Sequence, residues 1–99
     1  MSKWIGTAGD RIIIEAAVIQ ETFFTNKYGR CNLYRFEDNN GNLYIHMGPK
    51  ILVDLIDSYP KDLAKGDKVR FAANIKEHVT WDGAKQTVVR HASRADYLD

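Results

Sequence analysis

Two stretches of this chain set aromatic rings beside cations. The first holds Phe23, Phe24, Lys27, Tyr28 and Arg30, and the second holds Lys76, His78, Trp81, Lys85 and Arg90. Between them, Arg35, Tyr44 and His46 repeat the mixture. A cation neutralises a phosphate and releases its counterions, while a ring offers a face on which a base stacks for about 1–3 kcal/mol. Together they supply the chemistry of holding a single nucleic-acid strand with little regard to its sequence. Capture would fall to Lys27, Arg35, Lys76, Lys85 and Arg90, and stacking to Trp81, Tyr44 and a loop phenylalanine.

Each group also has a plainer reading. Tyr34 and Phe36 alternate with Leu33 and Arg35, which is the pattern of core residues on a strand. Trp4 precedes the first strand and reads as a packed anchor. Trp81 sits beside Asp82-Gly83, where a hairpin tip leaves a large ring hard to bury; the alternative is that it folds back over the sheet. Lys68, Arg70, Lys76 and Arg90 also suit a solvated strand face. Other chemistries lack their residues. There is no Gly-x-Ser-x-Gly elbow, no phosphate loop ending in Lys-Ser or Lys-Thr, and no His-Glu-x-x-His pair. Neither an enzyme activity nor a cofactor is expected. His46, His78, His91 and Cys31 are scattered rather than closely paired, so no metal site is expected.

Charge narrows the search. The formal net charge is only +1, yet residues 68–94 alone carry +4, and Asp96 and Asp99 return two negative charges at the end. The positive excess therefore gathers in one stretch. No apolar run reaches the roughly 18 residues of a membrane span, and Met1 to Gly6 lacks the apolar run of a signal peptide. A lone Cys31 allows no internal disulfide. A cytoplasmic setting is the simplest expectation.

The elements that must position these groups read as strands. At 99 residues the chain suits one domain, with a barrel over about 10–92 and a short polar tail over 93–99. Residues 11–20, rich in Ile and Val, predict a long first strand. Residues 21–29 read as a loop and 30–37 as the second strand. Asp38-Asn39-Asn40-Gly41-Asn42 predicts a turn. Strand three covers 43–47, with Leu43, Ile45 and Met47 on the core face and Tyr44 and His46 on the other. Gly48-Pro49 would open a helix carrying Ile51, Leu52, Leu55 and Ile56 on one face and Asp54 and Asp57 on the other, stopped by Ser58-Tyr59-Pro60. Leu63 reads as a plug beneath the barrel. Strands at 68–78 and 86–91 follow, joined through Trp81-Asp82-Gly83. Five antiparallel strands favour closure, which removes exposed edges. A helix after strand three is the OB ordering, so the expectation is an all-β, five-stranded OB-fold-like Greek-key barrel with one short helix between strands 3 and 4.

The last two strands carry a further likeness. Ile75-Lys76, His78, Trp81, Gly83, Lys85-Gln86-Thr87 and Arg90 follow the order in which a small OB-fold-like module of bacteriophage proteins shows Val-Lys, His, an aromatic, Gly, Lys-Gln-Thr and Arg. Tyr34, Phe36 and Asp38 with Gly41-Asn42, and then Gly66-Asp67, are similar to the same module. The chain differs at Asn74, where Thr is usual, and at His46, where an aromatic is common. The resemblance implies a single-stranded nucleic-acid binder, DNA ahead of RNA, serving phage replication or recombination in the host cytoplasm. OB folds bind along strands two and three and at the loops joining strands one to two and four to five, where the residues above cluster. The alternative is a protein-binding adaptor or inhibitor acting on a host or rival enzyme, which the near-neutral net charge favours. A third reading is an oligomerisation unit in which strand one or four pairs across a two-fold axis.

Overall fold

Five strands close on one another in a ring. The computed structural model describes residues 2–53 and 61–98. The strands are β1 (Arg11–Asn26), β2 (Gly29–Asp38), β3 (Leu43–Gly48), β4 (Leu52–Val53), β5 (Lys61–Asp62), β6 (Lys68–Trp81), β7 (Ala84–Arg90) and β8 (Asp96–Tyr97). β1, β2 and β3 form an antiparallel meander, β3 runs parallel to β7, β7 returns antiparallel to β6, and β6 closes on β1. β1 can serve two neighbours because it is long and bends. Arg11 to Ala17 pair with β6 and Ala16 to Asn26 pair with β2, with an irregularity between Val18 and Gln20. An extra residue at such a point coils the strand and raises its local twist.

The ring's interior takes every second residue. Ile14, Ala16 and Val18 from β1 meet Tyr34 and Phe36 from β2, Tyr44 from β3, Val69, Phe71, Ala73 and Ile75 from β6, and Val89 from β7. The Phe36 and Phe71 rings lie 4.9 Å apart between centroids. Burying each such large side chain contributes about 1.5–3 kcal/mol. Ile51, Val53, Leu63 and Ala95 join the same core, so Leu63 is buried as expected.

Several expectations are corrected. Among the described residues there is no helix. Leu52 and Val53, assigned to it, are extended and pair with Asp62 and Lys61, while Asp54 to Pro60 lie outside the described residues. Ile51 and Val53 are both buried, and such alternation in a short apolar run suits a strand as well as a helix. The supposed loop over 21–29 is mostly strand, with only Lys27 and Tyr28 in the turn. Phe23, Phe24 and the threonines that flank them are strand formers, and the turn is set by Asn26, whose Oδ1 accepts the Tyr28 N–H at 2.8 Å, and by Gly29 at φ 113°. Part of the polar tail is strand: Asp96 and Tyr97 pair with Arg70 and Val69, and the Leu98 N–H donates to the Lys68 carbonyl.

The largest correction concerns which way β3 faces. Tyr44 and His46 are buried in the interior; of the residues expected there, Ile45 is also buried, under the outer surface, but Leu43 is half-buried and Met47 is exposed. The turn before β3 decides this. The Asp38 N–H donates to the Asn42 carbonyl, and the Asp38 carboxylate accepts the N–H groups of Asn40 and Asn42, the Asn42 side-chain amide and the Tyr44 hydroxyl. That closure pairs Phe36 with Tyr44 and Tyr34 with His46. Residues directly opposite share a face, so the core positions of β2 draw Tyr44 and His46 inward. Leu43, Ile45 and Met47 are turned toward the outer face.

Candidate functional site

Two hairpins project from the ring, β1–β2 at one side and β6–β7 at the other. Beyond Ala17, β1 has only β2 as a partner strand among the described residues, and the tip of β6 pairs only with β7. Between the hairpins lies the outer face of β2, β3 and β7. Leu33, Ile45, Met47 and Val88 line it together with Glu77, Val79, Thr80 and Trp81 of β6, around an open groove of about 430 Å³.

Trp81 closes one end of this groove. Asp82 and Gly83 both have positive φ, 54° and 75°, as a two-residue type I′ turn requires. The turn sets Trp81 opposite Ala84, and the indole lies back over the sheet, still 41% exposed. The Arg35 guanidinium stacks on it at 4.7 Å. Arg35 also donates to Gln86 Oε1 at 3.3 Å and to Gln20 Oε1 at 3.2 Å. Gln86 in turn donates to the Trp81 carbonyl and is fully buried beneath this cluster. Four strands thus hold one stacked cation and ring in place. A guanidinium fixed this way is a flat cationic surface at the edge of an apolar groove, suited to a base or a phosphate.

His78 and Lys85 lie on the opposite side of the same hairpin, because alternation separates them from Val79 and Trp81. There His78 stacks on Trp4 at 5.6 Å with the rings 12° apart, and its Nε2 lies 3.0 Å from the Ile5 carbonyl. Lys85 Nζ sits 5.0 Å over the Trp4 ring, and the Trp4 indole N–H donates to the Val79 carbonyl. Trp4, expected as a packed anchor, is 43% exposed yet tied down by these contacts, and it engages both His78 and Lys85.

The first hairpin carries its aromatics on both faces. Phe24 stands opposite Cys31 on the side shared with Gln20 and Arg35, while Phe23 faces the other way, opposite Asn32. Phe23 is 55% exposed and Phe24 43% exposed. Arg30 covers Phe23 at 3.9 Å, and Lys27 lies 5.0 Å over the exposed Tyr28 ring. Lys76 is exposed at the irregularity between Ile75 and Glu77, and Arg90 is exposed opposite Asn74, away from both hairpin tips.

Tyr44 and His46, expected as ligand contacts, serve the interior instead. Burial, followed by the Asp38 bond and charge, raises the Tyr44 phenol above its ordinary pKa. Burial also raises Asp38, but its hydrogen bonds from the Asn42 backbone, Tyr44, Asn40 and the Asn42 side chain outweigh that and leave it lowered. His46 is 3% exposed, lies 6.2 Å from the Tyr34 ring, and its Nδ1 has no hydrogen-bond partner. Burial lowers its pKa to about 4, against the raising effect of its own backbone carbonyl and with a smaller lowering from nearby His91. Among the described residues, no three His, Cys, Asp or Glu side chains gather to hold a metal ion.

The structure therefore unites Trp81 with Arg35, places Phe24 on the same outer side, and removes Tyr44, His46, His78 and Lys85 from that surface. Sequence reasoning missed Leu33, Met47, Val79 and Val88 as lining and Gln20 and Gln86 as the brace of Arg35. The signal was the hairpin register: with Tyr34 and Phe36 inside, the closure from Asp38 to Asn42 already implied an outward Ile45 and Met47. Compared with known proteins, the chain matches no family model, no curated protein and no solved structure.

Proposed function

We propose that this chain is an OB-type barrel that binds single-stranded nucleic acid, DNA ahead of RNA, on the outer face between its two hairpins. The ring order β1-β2-β3-β7-β6, with the parallel β3–β7 pair, supports the OB reading. The open groove ending in the stacked Arg35 and Trp81 carries the ligand reading, because OB folds use strands two and three and the flanking hairpin loops. Bases would leave water for the apolar groove and stack at Trp81, while Arg35 meets the backbone. Phage replication or recombination is the setting that the sequence likeness suggests.

Titration of the intrinsic tryptophan fluorescence with single-stranded oligonucleotides at two salt concentrations tests this. Quenching that weakens with salt and is lost in Trp81→Ala supports it; no signal at low salt overturns it. A second reading has its own observation. Apart from Trp81, the apolar lining is aliphatic, and Glu77 lies among it. An aliphatic groove with a carboxylate suits a protein segment, so stoichiometric capture of one protein without oligonucleotide binding would decide for an adaptor or inhibitor.

A further inference from the structure

The second half of β1 is an open sheet edge. On one side, Gln20 to Asn26 pair with Arg35 to Gly29 of β2. On the other, the last backbone bonds are at Val18, whose N–H donates to the Asp67 carbonyl and whose carbonyl accepts the Gly66 N–H. From Ile19 to Asn26 no described strand pairs with this edge. Alternate residues therefore present backbone donors and acceptors outward. The devices that usually protect such edges are few here. Gln20 to Asn26 contains neither Pro nor Gly and only one charge, Glu21, and the sole irregularity precedes it, at Val18 to Gln20. Two phenylalanines stand exposed in its middle.

We propose that a second copy of this chain docks along this edge, antiparallel, about a two-fold axis through Phe24. Residues opposite one another in an antiparallel pair share a face, and opposite charges there are favourable. An axis at Phe24 brings Glu21 beside Lys27 of the second copy, the first residue of the turn just past the paired strand, and does so twice. It sets Thr22 against Asn26 and Phe23 against Thr25, and brings the two Phe24 rings together at the centre. An axis at Phe23 would instead place Glu21 against Thr25 and Lys27 against Ile19, with no charge matched. The charges therefore select the register, and a closed two-fold pairing consumes the edge that would otherwise template open-ended association. Such an axis stands perpendicular to the sheet, so both grooves face the same way and the Phe24 pair bridges them. The proposal does not rest on the nucleic-acid reading.

Sedimentation of the full chain across a concentration series tests it. A reversible monomer–dimer equilibrium is expected. Glu21→Lys and Lys27→Glu should each weaken it roughly tenfold, and the double variant, which restores opposite charges, should recover it. Phe24→Glu should leave a monomer whose circular dichroism matches the parent. A monomer at every concentration would overturn the proposal. So would a dimer indifferent to Phe24→Glu, or a double variant no better than the singles.

Discussion

The two hairpins differ in what stands behind them. The β6–β7 hairpin is supported on both faces, by Trp4 stacked on His78 under Lys85 on one side and by Arg35, Gln86 and Gln20 around Trp81 on the other. Beyond Arg35 and Gln20 at its base, the β1–β2 hairpin has, among the described residues, only its own side chains on its exposed rings, Arg30 on Phe23 and Lys27 on Tyr28. An isolated two-stranded ribbon is marginal in water, so the first hairpin depends on the barrel at its base and on whatever covers its rings. One hairpin is a fixed platform; the other is an arm that, among the described residues, leaves Phe23, Phe24 and Tyr28 exposed.

The largest expected effect tests whether both hairpins share one foundation. His46 has its pKa lowered from 6.5 to about 4 in the fold. As pH falls below 6.5 the unfolded chain takes up the proton first, so stability declines from there to about pH 4 and then levels for this group, a loss of about 3 kcal/mol. Asp38, lowered by its hydrogen bonds, adds a further loss at still lower pH. Denaturant unfolding measured against pH should show the upper loss, and His46→Phe should abolish it. A single transition by tryptophan fluorescence and circular dichroism would show both hairpins melting with the barrel; separate transitions would break the shared foundation.

The next effect separates platform from arm. Trp81→Ala removes the partner of Arg35 and uncovers Gln86, and should cost about 1–2 kcal/mol of stability. Phe23→Ala on the arm should stay within about 0.5 kcal/mol. Thermal denaturation of the two variants checks the contrast, and equal losses would erase it. The smallest effect is dynamic. Amide hydrogen exchange at low protein concentration should be faster at Thr22 to Thr25 than at Val79 to Lys85 by on the order of tenfold. Equal protection would mean that the arm is as well supported as the platform.

Much of the ring was legible in the sequence, because Ile12-Ile13-Ile14, the Val69 to Ile75 alternation, and the Asp-Gly and Asn-Gly turns are local signals. The facing of β3 was not, since Leu43-Ile45-Met47 is the more apolar set and hydropathy alone sends it inward. Register overrode hydropathy there: Asp38 gathers Asn40, Asn42 and Tyr44, and the pairing followed from the turn. The first hairpin was misread as a loop because Asn26 and Gly29 are turn residues, although only the two positions between them turn. Trp81 and Arg35 were legible as residue types, but their contact depends on Gln20 and Gln86, and the four come from four different strands. No local pattern announces that.

The position of Trp4 also bears on when the platform comes into being. Lys3 bonds to Asn42, Trp4 to Val79 and Ile5 to Thr87, across separations of 39, 75 and 82 residues. During synthesis these first residues leave the ribosome long before the strands they brace, and contacts this distant in sequence form slowly. The nascent chain can build the β1–β2 arm early, but its fixed hairpin must wait until β6 and β7 have emerged. A substitution at Trp4 should therefore loosen the Trp81 hairpin without disturbing the arm.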